Sequence, residues 1–148
     1  GALTLALAQS LAPNDKLTVF ESSKKHLRIL NKNLSRSPWK DSVVVMNEEF
    51  TSETPTSDCD AIFFDLPQPW DMIPWAKKSL IPGGLLMAYL PTTNQVSNFI
   101  NHLDDWQEVE LVENIQRDWK VDKNAIRPKN KSLSHTGFIV NARNIDLH

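Results

Sequence analysis

The sequence comprises 148 residues, 41% of them apolar, with 16 basic and 18 acidic side chains and a formal net charge of −2. That length reads as one domain, and that charge excludes a generally basic nucleic-acid-binding surface, although a local basic patch remains open. One cysteine, Cys59, excludes an internal disulfide and a cysteine-cluster zinc site, and no apolar run is long enough to span a bilayer.

No charged region precedes the apolar residues 1–8, so the N-terminus does not read as a signal peptide, and a cytoplasmic protein is the expectation. Residues 2–12, rich in Ala and Leu, predict a helix ended by Pro13, Asn14 and Asp15. Residues 17–21 predict a buried strand closing on Glu21. Ser22 or Ser23 stands where it would cap a helix over 24–34, with Leu27, Leu30 and Leu34 on one face. After a loop at 35–38, residues 42–46 form a β-branched strand, followed by Glu48 and Glu49 and a polar loop over 51–58.

Cys59 then reads as a small buried residue ahead of the most informative stretch, residues 62–70. Ile62, Phe63 and Phe64 lead straight to Asp65, as in a strand buried on both faces that ends at a polar site. Pro67 and Pro69 forbid both a ladder and a helix, so the chain turns just past Asp65. Asp71 is placed to cap a short helix through Trp75 to Leu80. Pro82, Gly83 and Gly84 predict a tight turn into a strand over 85–89, and Thr92 or Thr93 would cap a helix to about Leu103. Residues 109–115 alternate as a strand, 117–134 carry no strong period, and 136–142 predict a last strand.

Helices alternating with strands argue for a mostly parallel, doubly wound α/β sheet. The last two strands have no helix between them and should pair antiparallel at one edge. In such sheets ligands bind beyond the carboxyl ends of the strands, where Glu21 and Asp65 stand. A carboxylate after the second strand accepts from both ribose hydroxyls of a nucleotide-like ligand. If a strand preceded residue 1, Glu21 would hold that position; a solvated strand-end glutamate is the other reading. For Asp65 the bland alternative is a side chain that bonds the backbone of its own turn.

Several motifs together resemble a known family. Gly1-Ala2-Leu3-Thr4 looks like the tail of the glycine-rich first motif of class I S-adenosylmethionine-dependent methyltransferases. Phe64-Asp65-Leu66-Pro67-Gln68-Pro69-Trp70 resembles the fourth motif of the tRNA adenine-N1 methyltransferases that modify the T-loop adenosine. Tyr89-Leu90-Pro91, Asn94-Gln95-Val96, Arg127-Pro128 and His135-Thr136-Gly137-Phe138 follow in the order and spacing of that family's catalytic domain, particularly of its archaeal members. The resemblance covers nearly the whole chain.

It implies a Rossmann-like fold and methylation of adenine N1 at position 58 of tRNA, with a neighbouring adenosine as a further target left open. It implies Gly1, Ala2 and Leu3 beside the methionine part of S-adenosylmethionine, Glu21 on its ribose and Glu49 on its adenine. Many relatives carry Asp at the position of Glu49, and a solvated Glu48-Glu49 loop is the competing reading. It makes Asp65 the catalytic carboxylate, also near the cofactor, and Tyr89 a wall of the target-base pocket. Trp70 reads as a second wall or as packing. Arg127 and His135 belong to the substrate side, His135 as a structural hydrogen-bonding residue rather than a base, and the roles of Arg117 and Trp119 stay open.

The basic residues Lys120, Lys123, Arg127, Lys129 and Lys131 read either as phosphate contacts or as a solvated loop. His26, His102 and His148 have no metal-ligand spacing and read as surface residues. The family's first strand and opening glycines are expected before Gly1, together with an N-terminal β-rich domain, so residues 1–148 alone are expected to bind cofactor poorly. A homotetramer is expected by the same resemblance. Three alternatives stand beside this reading: a non-catalytic methyltransferase-like subunit that binds RNA or a partner, a methyltransferase for another substrate, and a dinucleotide-dependent oxidoreductase, which shares the sheet and the ribose-binding acid.

Overall fold

A computed structural model describes residues 1–131 and 135–145. They form two compact units, Gly1–Thr54 and a second that begins at Pro55.

The first unit contains α1 (Ala2–Gln9), β1 (Leu17–Phe20), α2 (Lys24–Leu34) and β2 (Val43–Met46). The strands pair in parallel from Leu17 opposite Val43 to Phe20 opposite Met46, with α2 as the crossover. Helix α1 is shorter than the composition predicts. Pro13 disfavours a helical residue 12, and the Ser10 amide already closes the last turn on the Leu7 carbonyl. Helix α2 has the predicted bounds. Its N-cap is Ser23, whose Oγ accepts from the His26 amide at 3.4 Å, a contact worth about 1 kcal/mol. Leu30 and Leu34 of α2 are buried, as are Thr4 and Ala8 of α1. The expectation of a buried strand over 17–21 is corrected. With one neighbour among the described strands, Leu17, Val19 and Phe20 are half-buried and Thr18 is exposed.

The second unit holds β3 (Cys59–Phe64), α3 (Ile73–Ser79), β4 (Leu80–Leu90), α4 (Thr93–Ile100), β5 (Gln107–Glu113), β6 (Trp119–Asp122), β7 (Ala125–Pro128) and β8 (Phe138–Arg143). Its main sheet runs β3-β4-β8-β5, with β3 parallel to β4 and β8 antiparallel to both β4 and β5. The two late strands therefore pair antiparallel, as expected, and β5 forms the edge. Gly84, Leu86, Ala88 and Leu90 of β4 are buried, while Leu85, Met87 and Tyr89 between them are half-buried. Helices α3 and α4 pack on this strand.

Five sequence expectations change here. The strand before Asp65 begins at Cys59, and as the outer strand of its sheet it buries only Phe64. Cys59 itself is half-exposed, its Sγ 3.4 Å from Ser57 Oγ. Asp71 caps nothing: it lies in a 3-10 turn over Pro69–Met72, and Met72 precedes α3. Pro82, Gly83 and Gly84 make a wide bulge inside β4 rather than a turn before it. Cys59 pairs with Leu80 and Ala61 with Leu85, so two steps on β3 face five on β4. Gly83 takes φ +81°, which a side chain would oppose. The bulge is pinned by β8's end: the Gly83 amide donates to the Asn144 carbonyl and the Asn144 amide to the Gly84 carbonyl. Finally, residues 117–131 contain a hairpin, β6 against β7, joined through Lys123 and Asn124.

Candidate functional site

In the second unit the loop after β3 and the end of β4 meet at the carboxyl ends of two parallel strands. Phe64 pairs with Ala88, so Asp65 is the next residue, level with Tyr89. Asp65 is exposed, and among the described residues no hydrogen bond or ion pair engages its carboxylate. The bland reading, a carboxylate spent on its own turn, is therefore not what the geometry contains. The turn is held by another residue. Gln95 donates from Nε2 to the Pro67 carbonyl at 3.1 Å, while its Oε1 accepts from Thr92 Oγ1 at 2.9 Å. Thr92 is the N-cap of α4, so the helix start and the Asp65 loop are tied through one amide. Trp70 lies half-buried in the 3-10 turn, next to the fully buried Pro69.

Tyr89 donates from its hydroxyl to the Thr136 carbonyl. His135 stands beside that contact, its Nε2 2.7 Å from the Pro91 carbonyl and its Nδ1 3.0 Å from Glu113 Oε1. A carbonyl only accepts, and an ionised carboxylate only accepts, so this pair of partners favours the protonated ring, which can donate from both nitrogens. The Glu113 hydrogen bond, and after it the Pro91 carbonyl, accordingly raise the His135 pKa above its usual value. His135 thus makes hydrogen bonds to two neighbouring segments, and its ring packs 5.0 Å from that of Phe138.

In the first unit, Glu21 follows β1 directly. Its Oε1 accepts from the Ser23 amide at 2.8 Å, and its Oε2 lies 3.8 Å from His26 Nδ1. Gly1 is the N-cap of α1, and Gly1, Ala2 and Leu3 are exposed. Glu48 and Glu49 are exposed in the loop after β2, which suits the solvated reading as well as an open binding position.

Arg127 sits on β7 and donates to Asn130 at 2.7 Å. The basic stretch is less free than its composition predicts. Lys129 pairs with Asp118 at 3.1 Å and Lys120 with Asp122 at 3.5 Å. The Lys129 hydrogen bond, then that of Gln116, hold the Asp118 carboxyl below its usual range. Arg117 lies over the Trp119 ring at 6.0 Å. Among the described residues no carboxylate pairs with Lys123, Arg127 or Lys131. His26 and His102 are exposed, as expected; His148 lies outside the described residues. No group of three His, Cys, Asp or Glu side chains among the described residues could hold a metal ion, and no helix there is long and apolar enough to cross a membrane.

Sequence reasoning gave no role to two participants, Gln95 and Glu113. Gln95 was visible only as part of a motif, and its partner is a backbone carbonyl that no side-chain pattern announces. Glu113 lies on a strand whose every residue is exposed.

The chain is similar to proteins of known name. It is 26% identical over 171 residues to the tRNA (adenine(57)-N(1)/adenine(58)-N(1))-methyltransferase TrmI of Methanocaldococcus jannaschii, across 97% of this chain and 61% of that protein. It is 27% identical over 151 residues to the tRNA (adenine(58)-N(1))-methyltransferase TrmI of Thermus thermophilus, across 97% of this chain and 57% of that one. The chain thus spans about six tenths of the length of these relatives. Among solved structures it resembles the tRNA (m1A58) methyltransferase TrmI of Aquifex aeolicus, with TM-score 0.85 and 26% identity over 99% of this chain and 59% of that one. It also resembles a protein of Thermotoga maritima described as a SAM-dependent O-methyltransferase, with TM-score 0.91 and 25% identity over all of this chain and 57% of that one. These likenesses establish the Rossmann-like class I methyltransferase fold. Residues 1–144 match the family described as the tRNA methyltransferase complex GCD14 subunit, and the chain belongs to that family.

Proposed function

We propose that this chain is the catalytic domain of an enzyme that uses S-adenosylmethionine to methylate adenine N1 in the T-loop of tRNA, at position 58. One observation carries the reading: a carboxylate that no described residue engages, Asp65, stands level with Tyr89 at the ends of two parallel strands. The relatives named as tRNA adenine-N1 methyltransferases support the same choice of substrate.

The side chains suit the cofactor. Glu21 has one oxygen fixed by a backbone amide and retains acceptor capacity for two ribose hydroxyls. Gly1, Ala2 and Leu3 would lie along the methionine part, and Glu49 would accept from the adenine amino group. S-adenosylmethionine, when bound, supplies an electrophilic methyl group. Adenine N1 carries a free lone pair at neutral pH, so the protein needs no strong base, and its own residues act by positioning and electrostatics. Asp65 accepts from the exocyclic amino group and stabilises the positive charge that develops on the adenine. N1 lies on the Watson–Crick edge, so the base must leave its stack. Tyr89 and Trp70 then wall the pocket. Because the Tyr89 hydroxyl proton is committed to Thr136, the ring rather than the proton serves the base.

Lys123, Arg127 and Lys131 would contact phosphates and orient the RNA without reading its sequence. We read the enzyme as a cytoplasmic homotetramer; apolar side chains left exposed on the β6-β7 hairpin support self-association.

Labelled S-adenosylmethionine, unmodified tRNA and the full-length protein test this directly. We expect N1-methyladenosine in the T-loop after nuclease digestion, with a rate on the order of 10²–10³-fold lower in Asp65→Ala. Cofactor binding without transfer to tRNA would refute the substrate. Absence of cofactor binding would point to a non-catalytic subunit.

A further inference from the structure

We propose that the His135-Thr136-Gly137 segment is a seat that fixes the Tyr89 ring, with Gly137 and His135 as positioning residues for methyl transfer. The catalytic consequence rests on the function proposed above; the seat itself does not.

Three observations converge on it. The Tyr89 hydroxyl, at the far end of the side chain, donates to the Thr136 carbonyl. The ring also needs the absence of a side chain at residue 137: a Cβ built on Gly137 would fall among the ring atoms of Tyr89. Gly137 is buried and has φ +147°, a conformation that other residues oppose. The third observation is what holds this segment in place. His135 reaches the Pro91 carbonyl, two residues past Tyr89, and Glu113 at the end of β5. One imidazole ring therefore joins the exits of β4 and β5 to the entry of β8.

The ladder completes the arrangement. Tyr89 pairs with Ile139 and Leu90 with Phe138, so backbone pairing runs up to the seat. Tyr89 is fixed at its Cα by the sheet, at its ring by Gly137 and at its hydroxyl by Thr136. A side chain anchored at both ends does not swing, so the wall it presents is set before a base arrives. That is how orientation is supplied in advance of the reaction rather than during it.

Tyr89 is the one tyrosine in these 148 residues, which makes it observable. The experiment incorporates 3-fluorotyrosine into the full-length protein and assigns the Tyr89 ¹⁹F resonance by its loss in Tyr89→Phe. Gly137→Ala should move that resonance by more than its linewidth, and His135→Gln should move or broaden it. In Gly137→Ala, kcat should fall at least tenfold while KM for S-adenosylmethionine stays within twofold. In a Tyr89→Ala background, adding Gly137→Ala should change kcat less than twofold, since the ring it displaces is gone. An unmoved resonance in Gly137→Ala overturns the proposal, as does a full tenfold loss repeated in the Tyr89→Ala background. Should Gly137→Ala not fold, His135→Gln decides in its place: residue 135 is exposed, and an unmoved resonance there with unchanged kcat overturns the seat. A wild-type protein that transfers nothing to tRNA would sink the proposed function, while the fluorine signal would still decide the seat.

Discussion

Strands β4 and β5 both hydrogen-bond to β8, one on each side, and their side chains live in opposite worlds. Leu86, Ala88 and Leu90 of β4 are wholly buried, whereas all seven residues of β5 are exposed, Val109, Leu111 and Val112 included. Backbone pairing alone therefore does not make a core strand. On β4 the hydrogen-bond ladder is backed by α3 and α4; on β5 it is nearly all there is. Strand β5 also carries an extra residue: Gln107 pairs with Arg143 and Glu110 with Asn141, and Glu108 takes φ +49°. Such a bulge twists an edge and discourages further strand pairing.

The sharpest way to break this contrast is a pair of matched truncations. Leu86→Ala should cost about 2–5 kcal/mol, the usual range for a core leucine. Leu111→Ala should stay within about 0.5 kcal/mol, as for an exposed site. Urea unfolding of the two variants measures both. A Leu111 loss approaching that of Leu86 would mean that β5 is covered in solution by another chain, and the contrast would belong to the monomer only.

A smaller effect separates the two flanks at a single level of β8. Toward β4, Asn144 is buried and donates to the carbonyls of Lys77 at 3.1 Å and Leu80 at 3.0 Å, closing the end of α3. Toward β5, its neighbour Arg143 meets Glu108 at 3.0 Å with both side chains exposed. Asn144→Ala leaves carbonyls without that donor in a closed interior and should cost about 1–3 kcal/mol. Glu108→Ala removes a surface pair worth about 0–1 kcal/mol and at most a small shift in Tm is expected. Equal losses would show that hydrogen-bond number, rather than burial, sets the difference.

What could be read beforehand follows the same division. Helix α2, the hydroxyl caps of α2 and α4 to within one residue, and the antiparallel late strands were legible, because each rests on a local signal: a hydroxyl before an apolar period, or two strands without an intervening helix. Asp65 was legible because an apolar run met two prolines. The β6-β7 hairpin was not, since Val121 and Ile126 face solvent and produce no burial period. The bulge at Gly83 read as a turn because the same residues serve both purposes. Its identity depends on Asn144, about sixty residues later. The Tyr89 seat was hidden for a related reason: it is made of a backbone carbonyl and a missing Cβ, neither of which has a sequence signature beyond a glycine in a motif.

The smallest expected effect lies where the two flanks meet, at His135. Its pKa is raised first by the hydrogen bond to Glu113 on β5 and then by the Pro91 carbonyl after β4. In the unfolded chain a histidine titrates near about 6.5. A folded pKa above that value means that folding favours the protonated ring. The resulting stabilisation is fully present below the unfolded pKa and is lost as pH rises through the folded pKa. The advantage of the wild type over His135→Gln in Tm should therefore be largest below about pH 6.5 and shrink as pH rises through the folded titration. NMR titration of the ring should give a midpoint above that of a free histidine, and Glu113→Gln should lower it, since the first cause of the shift is removed. A midpoint untouched by Glu113→Gln would leave the Pro91 carbonyl as the main partner. The clamp would then belong to β4 alone, with β5 contributing its backbone and little else.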